Sequence, residues 1–176
     1  MLHTSPNDGS AMPPTKLPAE HHIVRNASWS KLRKDENDNV IGVLGEAFKM
    51  RPVDTYLSTT WLEYFPGERD SQIVAAVQAM RASNLNISRK SGFAIGNVGR
   101  IEHTAAASEK AYKLRILHEP APDNKAHAAV RRFPRDDIEL FELLAIDAWS
   151  EVVLNSSIAE GEISAPDAPA WRPSET

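Results

Sequence analysis

The 176-residue chain contains no cysteine. Disulfides, thiolate nucleophiles and zinc or iron–sulfur sites built on cysteine are therefore excluded, and the absence favours a reducing compartment. Basic residues are in the minority as well: 20 Lys and Arg stand against 24 Asp and Glu, which gives a formal net charge of −4. Because nucleic-acid-binding domains are usually basic, this balance argues against nucleic acid as a partner.

Long apolar runs are also missing. No stretch approaches the roughly 18 apolar residues of a membrane span, and the N-terminal segment MLHTSPNDGSAMPPTKLPAE lacks the apolar core of a signal peptide. The sequence therefore predicts a cytoplasmic protein without membrane association. Its 41% hydrophobic and 25% charged residues are typical of a globular protein, and its length fits one domain.

Both ends of the chain are polar. Residues 1–20 are rich in Pro with few large apolar groups, and residues 155–176 have the same polar character with an acidic bias. Such segments cannot bury enough apolar surface to offset the entropy lost on ordering. We therefore expect a flexible N-terminal arm over residues 1–20, a single folded domain over residues 21–154 and a flexible acidic tail over residues 155–176.

Helical patterns occur at three places in the predicted domain. Acidic residues followed by apolar periodicity predict a buried helix over Asp137–Leu154, with Ile138 on its inward face. A second helix is expected over Ser71–Ser83. A Thr-x-x-Glu capping box predicts a short third helix that begins near Ser58–Thr60 and ends at Pro66–Gly67.

Alternating patterns predict three strands, over Val40–Met50, Gly92–Ile101 and Tyr112–His118, and the segment His22–Arg25 could add an edge strand. Glu102–Lys110 fits either a short helix or a loop. The expected fold class is α+β, with a small, mainly antiparallel sheet of three to four strands packed against two or three helices.

Two histidines are the candidate catalytic residues. In a chain without cysteine, histidine is the usual general acid, base and metal ligand. His118 ends a predicted strand in phase with its buried residues, and His127 lies in a predicted loop before the last helix. An ordinary polar role at a strand end or in a loop is the alternative for both. No pair has the H-x-x-x-H spacing, so the sequence predicts neither a metal site nor a cofactor.

Arg51 is the first candidate for binding an anion. It precedes Pro52 and lies ahead of the helix expected to begin at Ser58, and a cation that faces a helix N-terminus would form an anion site. The alternative is a salt bridge to Asp54, Glu63 or Glu46. The full set of candidate binding residues, for a small anionic ligand, is Arg51, Ser58, Trp61, Arg25 and His22.

Four segments carry a resemblance to a protein family. They are an Ala-Phe-x-x-Arg-Pro stretch beginning at Ala47, the segment Tyr56–Phe65, a Phe-Ala-x-x-Asn-Val-Gly strand beginning at Phe93, and the Asn-x-x-His of Asn124–His127. In these segments the chain resembles a group of small bacterial proteins that have no assigned activity. The resemblance covers roughly residues 21–145 and implies a bacterial origin and a shared domain. It implies no catalytic role for any residue.

Two functions are compatible with these observations. The first is a non-enzymatic accessory or interaction subunit of a cytoplasmic bacterial multiprotein system, with a protein as its partner. It is supported by the lack of a complete catalytic set, by the aromatic-rich segment Tyr56–Phe65, and by Trp171 beside prolines in the polar C-terminal tail.

The alternative is an enzyme that uses histidine and arginine on a small phosphorylated or nucleotide substrate. His118 or His127 would act as general acid–base, and Arg51 with Arg25 would hold the anion. Convergence of these two histidines with His22 and Arg51 around an open pocket would favour the enzyme. Separation of the four residues, together with an exposed apolar surface, would favour the interaction subunit.

Overall fold

The structure, a computed structural model, describes residues 13–158. Within this range a seven-stranded antiparallel sheet packs against three α-helices, and two further strands form a separate pair. The α+β class is confirmed, whereas the predicted sheet of three to four strands was too small. The predictions for residues 1–12 and 159–176, including the docking motif at Trp171, lie outside the described residues.

The strands are short, and turns, loops or helices connect them along the chain. Their bounds are β1 Thr15–Lys16, β2 His22–Ala27, β3 Leu32–Lys34, β4 Val40–Val43, β5 Leu57–Trp61, β6 Gly92–Asn97, β7 Arg115–His118, β8 His127–Arg131 and β9 Glu151–Leu154. The order across the large sheet is β1-β7-β8-β5-β2-β6-β9, and β3 pairs with β4. The segment predicted as an edge strand is therefore part of β2, in the interior of the sheet.

The helix bounds are α1 Arg69–Arg81, α2 Val98–Ala107 and α3 Ile138–Asp147. Two of the helices begin at side-chain caps, because Asn97 accepts a hydrogen bond from the main-chain N–H of Arg100 and Asp137 accepts one from that of Leu140. Helix α1 lies where a helix was predicted. Helix α2 covers much of the segment left open between helix and loop. None of the three is long and apolar enough to cross a membrane.

Both faces of the sheet are buried near its centre. On β2, Ile23 points into a core that includes Phe141 of α3, and the next residue, Val24, points into a second core that includes Val77 of α1. Consecutive residues of a strand face opposite sides, so β2 needs an apolar residue at both positions. The consequence for the site is that side chains one residue apart on these strands lie on different faces.

The last predicted helix is shorter than expected. Helix α3 ends at Asp147, and Glu151–Leu154 forms strand β9 at the edge of the sheet against β6. The β-branched pair Val152–Val153 favours a strand, and pairing with β6 decides in its favour. Ile138, predicted on the buried face, is 50% exposed.

The short helix predicted to begin near Ser58–Thr60 begins instead as strand β5, and only a single 3₁₀ turn, Leu62–Tyr64, lies within its predicted range. Ser58–Thr60 lie in β5, which pairs with β2 on one side and with β8 on the other. All three residues pair with β8 and Thr60 also pairs with β2, while the capping-box residue Glu63 accepts hydrogen bonds from His22. Ser58 therefore has no helix N-terminus with which to bind an anion.

Ordered structure extends past both predicted domain boundaries. Leu17 is 2% exposed and donates its main-chain N–H to the carbonyl of Ile116. At the other end, Asn155–Ser157 forms a 3₁₀ turn and Ile158 is buried in the core beneath α1. Residues 13–20 and 155–158 thus belong to the folded part of the chain.

Candidate functional site

The pairing between β2 and β5 stops after two residue pairs. Ile23 pairs with Trp61 and Val24 with Thr60, while the other side of β2 stays paired with β6 along its whole length. At the next position the guanidinium of Arg25 donates from Nη1 to the carbonyl of Ser58 at 2.8 Å. The Arg25 side chain thus replaces the backbone hydrogen bonds between β2 and β5 at this position. We call this position the sheet opening.

Arg25 is a half-buried cation without a carboxylate partner. Its Nε donates to the carbonyl of Ala47 at 2.7 Å, and no ion pair or hydrogen bond within residues 13–158 occupies its Nη2. Burial lowers the pKa of Arg25 to about 10, against an attraction to Asp54 that raises it and a repulsion from Arg51 that lowers it further. The group remains charged at neutral pH. Two carbonyls therefore fix a cation that retains one unused donor group.

Two more arginines contact the loop that leads into β5: Arg51 lies on the loop itself, near Arg25, and Arg135 reaches it from the segment between β8 and α3. Arg51 holds the carboxylate of Asp54 through Nε at 3.1 Å and Nη2 at 3.0 Å, and this hydrogen bonding lowers the pKa of Asp54. Arg135 donates to the main-chain carbonyls of Pro52 and Asp54. We call Arg25, Arg51 and Arg135 the arginine cluster. Asp54 neutralises only part of its charge.

The observed partner of Arg51 corrects the predicted anion site. The salt bridge to Asp54, which was the alternative, is present, and the helix that was to face Arg51 is a strand. The Arg51 side chain is 80% exposed. It can therefore exchange a neighbouring carboxylate for an anion from solution without loss of packing.

Ser58 and His127 form a hydrogen-bonded pair on the opposite face of the sheet from the Arg25 side chain. The Ser58 Oγ and His127 Nε2 atoms are 3.0 Å apart, and His127 Nδ1 lies 2.8 Å from the main-chain oxygen of Glu119. A carbonyl oxygen can only accept, so Nδ1 carries the proton and Nε2 is the acceptor. The Ser58 hydroxyl consequently donates to His127.

Neighbouring side chains fix the ring of His127, which is 8% exposed. The ring of Tyr56 packs against it edge-on with centroids 5.5 Å apart, and the guanidinium of Arg131 lies 4.6 Å above the Tyr56 ring. Arg131 also binds both carboxylate oxygens of Glu119, and these bonds lower the pKa of Glu119. His127 is thus the first residue of β8 within a rigid network, and not part of a loop as predicted.

His118 belongs to a different cluster. It lies opposite Ala128 in the sheet, one residue from His127, and so faces the other side. Its ring is 5.0 Å from that of Trp61 and 5.5 Å from that of Tyr64. The two predicted catalytic histidines therefore do not converge, although two of the predicted site residues, Trp61 and His118, do come together.

His22 is held by Glu63, with 2.5 Å between Nδ1 and Oε1 and with its main-chain N–H donating to Oε2 at 2.7 Å. The four residues expected to converge in an enzyme are thus divided: Arg51 in the arginine cluster, His127 with Ser58, His118 with Trp61, and His22 with Glu63. Arg25 and His127 both contact Ser58, from opposite faces of the sheet. Ser58 joins them, through its carbonyl to Arg25 and through its hydroxyl to His127.

Three contributors to this site were missed at the sequence level. Tyr56, Glu119 and Arg131 orient His127, but Glu119 does so through its backbone carbonyl and Tyr56 through ring packing, and neither leaves a sequence pattern. Across residues 13–158, no group of three or more His, Asp or Glu is placed to hold a metal ion.

Comparison with known proteins adds no assignment. The chain matches no protein-family model, and no curated protein and no solved structure is significantly similar to it. The chemistry of the sheet opening and of the Ser58–His127 pair therefore has to support any functional conclusion.

Proposed function

We propose that this domain binds a small phosphorylated ligand at the arginine cluster. The observation that carries the proposal is Arg25. A half-buried guanidinium without a carboxylate partner is costly unless a counter-charge is supplied. A ligand anion at Nη2 would supply it, and arginine is well suited to phosphate because its donors match the oxygens in pairs.

Arg51 and Arg135 extend the positive charge from Arg25 toward solvent. A phosphate carries up to two negative charges and several acceptor oxygens, so it can contact more than one guanidinium at once, whereas a carboxylate has a single charge. Two or more adjacent arginines therefore favour a phosphorylated ligand over a simple carboxylic acid. A bound phosphate would either displace the Asp54 carboxylate from Arg51 or share the Arg51 guanidinium with it.

His127 has the geometry of a general base, but it lies on the opposite face of the sheet from the Arg25 side chain. Its Nε2 lone pair is directed to an exposed hydroxyl, and the Glu119 carbonyl fixes the tautomer in which that nitrogen can take up a proton. A general base needs such an available lone pair within hydrogen-bond reach of the group it deprotonates. A ligand held at the arginine cluster would not reach this nitrogen, so the proposal is confined to binding.

Calorimetric titration with ADP and with pyrophosphate tests the proposal. The wild-type protein should bind at least one of them, and Arg51→Ala should weaken binding about two- to fivefold, the effect of losing an exposed charged contact. Its melting temperature should stay unchanged because the side chain is 80% exposed. Arg69→Ala is the matched control, since it removes another exposed, ion-paired arginine, the partner of Glu151. Absence of binding to the wild type would contradict the proposal.

The predicted accessory subunit is the second candidate, and the outer face of α3 favours it. Ile138 is 50% exposed, Leu143 38% and Ile146 62%. A cleft of about 400 Å³ that includes Leu143 separates this face from α2. Several large aliphatic side chains exposed on one short helix are a common property of protein-binding surfaces.

Substitution of Ile146 tests this second candidate. Ile146→Asp should eliminate proteins that co-purify with the wild-type chain from the source organism, because a charge would be placed at the centre of the apolar face. The control is Ile41→Asp, which alters a side chain of similar exposure, 59%, on β4. Quantitative mass spectrometry of the eluates compares the three forms. Identical protein sets in all three would exclude the α3 face as the interface.

A further inference from the structure

We infer that the cleft between α2 and α3 binds a free α-amino acid with an aliphatic side chain. The volume of the cleft, about 400 Å³, is within the range of small-ligand sites. Six residues of the two helices line it: Arg100, His103, Thr104, Ala107, Leu143 and Asp147. None of them belongs to the arginine cluster, so this inference does not depend on the phosphorylated ligand proposed above.

The cleft has a charged end and an apolar end. A hydrogen bond from Arg100 Nε to the main-chain oxygen of Asp147 places these two residues side by side. From there α2 continues for about 10 Å to Ala107, while α3 runs back by about one turn to Leu143. Leu143 also lines a neighbouring cleft with Ser108, the residue that follows Ala107. Both apolar residues therefore lie at the end of the cleft away from Arg100.

The two charged side chains at the other end have no ionic partner. Among residues 13–158, no ion pair or hydrogen bond involves the carboxylate of Asp147, and no carboxylate binds Arg100. The hydrogen bond from Nε fixes the Arg100 guanidinium and leaves Nη1 and Nη2 as donors for a ligand. A ligand that carries both a carboxylate and an ammonium group would complement the two charges.

The rest of the cleft indicates the rest of the ligand. His103 and Thr104 follow Arg100 by about one turn of α2, so their polar groups can meet the same carboxylate. Beyond them, exposed Ala107 and Leu143 form an aliphatic wall that a ligand side chain would remove from water. Leucine, isoleucine and valine each combine a carboxylate, an ammonium group and an aliphatic branch. A fatty acid lacks the ammonium group, and a sugar lacks the aliphatic branch.

Calorimetric titration with L-leucine and three of its analogues tests the inference. Each analogue lacks one group: 4-methylpentanoate lacks the ammonium group, 3-methylbutylamine the carboxylate and glycine the aliphatic side chain. The wild-type protein should bind leucine at least about tenfold more tightly than each analogue, the effect of losing one contact to a charged group or the burial of one apolar side chain.

Three substitutions assign these preferences to the cleft. Asp147→Asn should abolish the preference for leucine over 4-methylpentanoate, and Arg100→Gln should abolish the preference over 3-methylbutylamine. Leu143→Ala should reduce the preference over glycine. A preference is a ratio of two affinities in one preparation, so a partial loss of folded protein does not alter it. Arg69→Gln is the matched control: it removes an exposed arginine on α1 that binds Glu151, and it should leave all three preferences unchanged.

Three results would overturn the inference. They are no binding of leucine, isoleucine or valine to the wild-type protein, equal wild-type affinity for leucine and 4-methylpentanoate, and preferences that neither Asp147→Asn nor Arg100→Gln changes. The last result would show that the amino acid binds at another place on the protein. The first two need no variant, so a substitution that fails to fold leaves the test intact.

Discussion

Replacing Phe141 by alanine is expected to lower the free energy of unfolding by about 3–5 kcal/mol, the range for emptying a buried aromatic position. Phe141 is 2% exposed, and its ring stacks on that of Phe133 with centroids 5.2 Å apart and planes 7° from parallel. Its side chain packs between α3 and the sheet, so truncation leaves a cavity between the helix and the sheet. Urea unfolding followed by circular dichroism measures the loss.

Ile146→Ala is the matched control for this prediction. It shortens an aliphatic side chain on the same helix, but one that is 62% exposed, so we expect a loss below about 1 kcal/mol. Equal losses in the two variants would mean that α3 presents a different face to the core. A small loss in Phe141→Ala alone would mean that the neighbouring side chains collapse into the space.

Local patterns were enough to predict some elements of this fold. The alternation of Leu114, Ile116 and His118 predicted β7, because a period of two residues is typical of a strand. The apolar spacing of residues 71–83 predicted α1, because it matches the period of a helix. The residues of β5 and β9 gave ambiguous patterns. At β5 a capping box favoured a helix, and at β9 the strand residues Val152–Val153 continued a helical stretch. Pairing with neighbouring strands decided both cases, and such pairing cannot be read from one segment.

The extent of the folded chain was underestimated for a related reason. The composition of residues 1–20 predicted a flexible arm, but the segment includes Leu17, whose side chain is fully covered. Elements remote in sequence hold the segment around Leu17 against the core. Strand β1 pairs with β7, and the main-chain N–H of Gly99 donates to the carbonyl of Ala19. A single apolar residue in a polar segment does not signal burial by itself.

The candidate site was predictable by residue type and not by arrangement. Arg25, Ser58 and His127 were each selected because arginine binds anions, serine hydroxyls donate and histidine titrates near neutrality. Their contacts through Ser58 depend on a register that places Thr60 opposite His127, and on the point at which β2 and β5 stop pairing. Those two features are set by the whole sheet. The same register places His118 on the other face and so separates the two histidines.

The strongest effect on ligand binding is expected from Arg25. Arg25→Gln should weaken binding of ADP or pyrophosphate about 10- to 100-fold, because a hydrogen bond to a charged group contributes roughly 1.5–3 kcal/mol. Arg25→Lys should weaken it too, since an ammonium group cannot bind the carbonyls of Ala47 and Ser58 and still present a third donor to the ligand. Isothermal titration calorimetry measures both.

Stability has to be measured beside affinity, because Arg25 also bridges the 3₁₀ turn Gly45–Phe48 and β5. Arg33→Gln is the control: it removes a half-exposed guanidinium bound to Glu142, which joins the β3–β4 pair to α3. It should lower the melting temperature without changing the affinity for ADP. A folded Arg25→Gln protein with wild-type affinity would show that Nη2 of Arg25 does not contact the ligand, and the anion site would then have to depend on Arg51 and Arg135 alone.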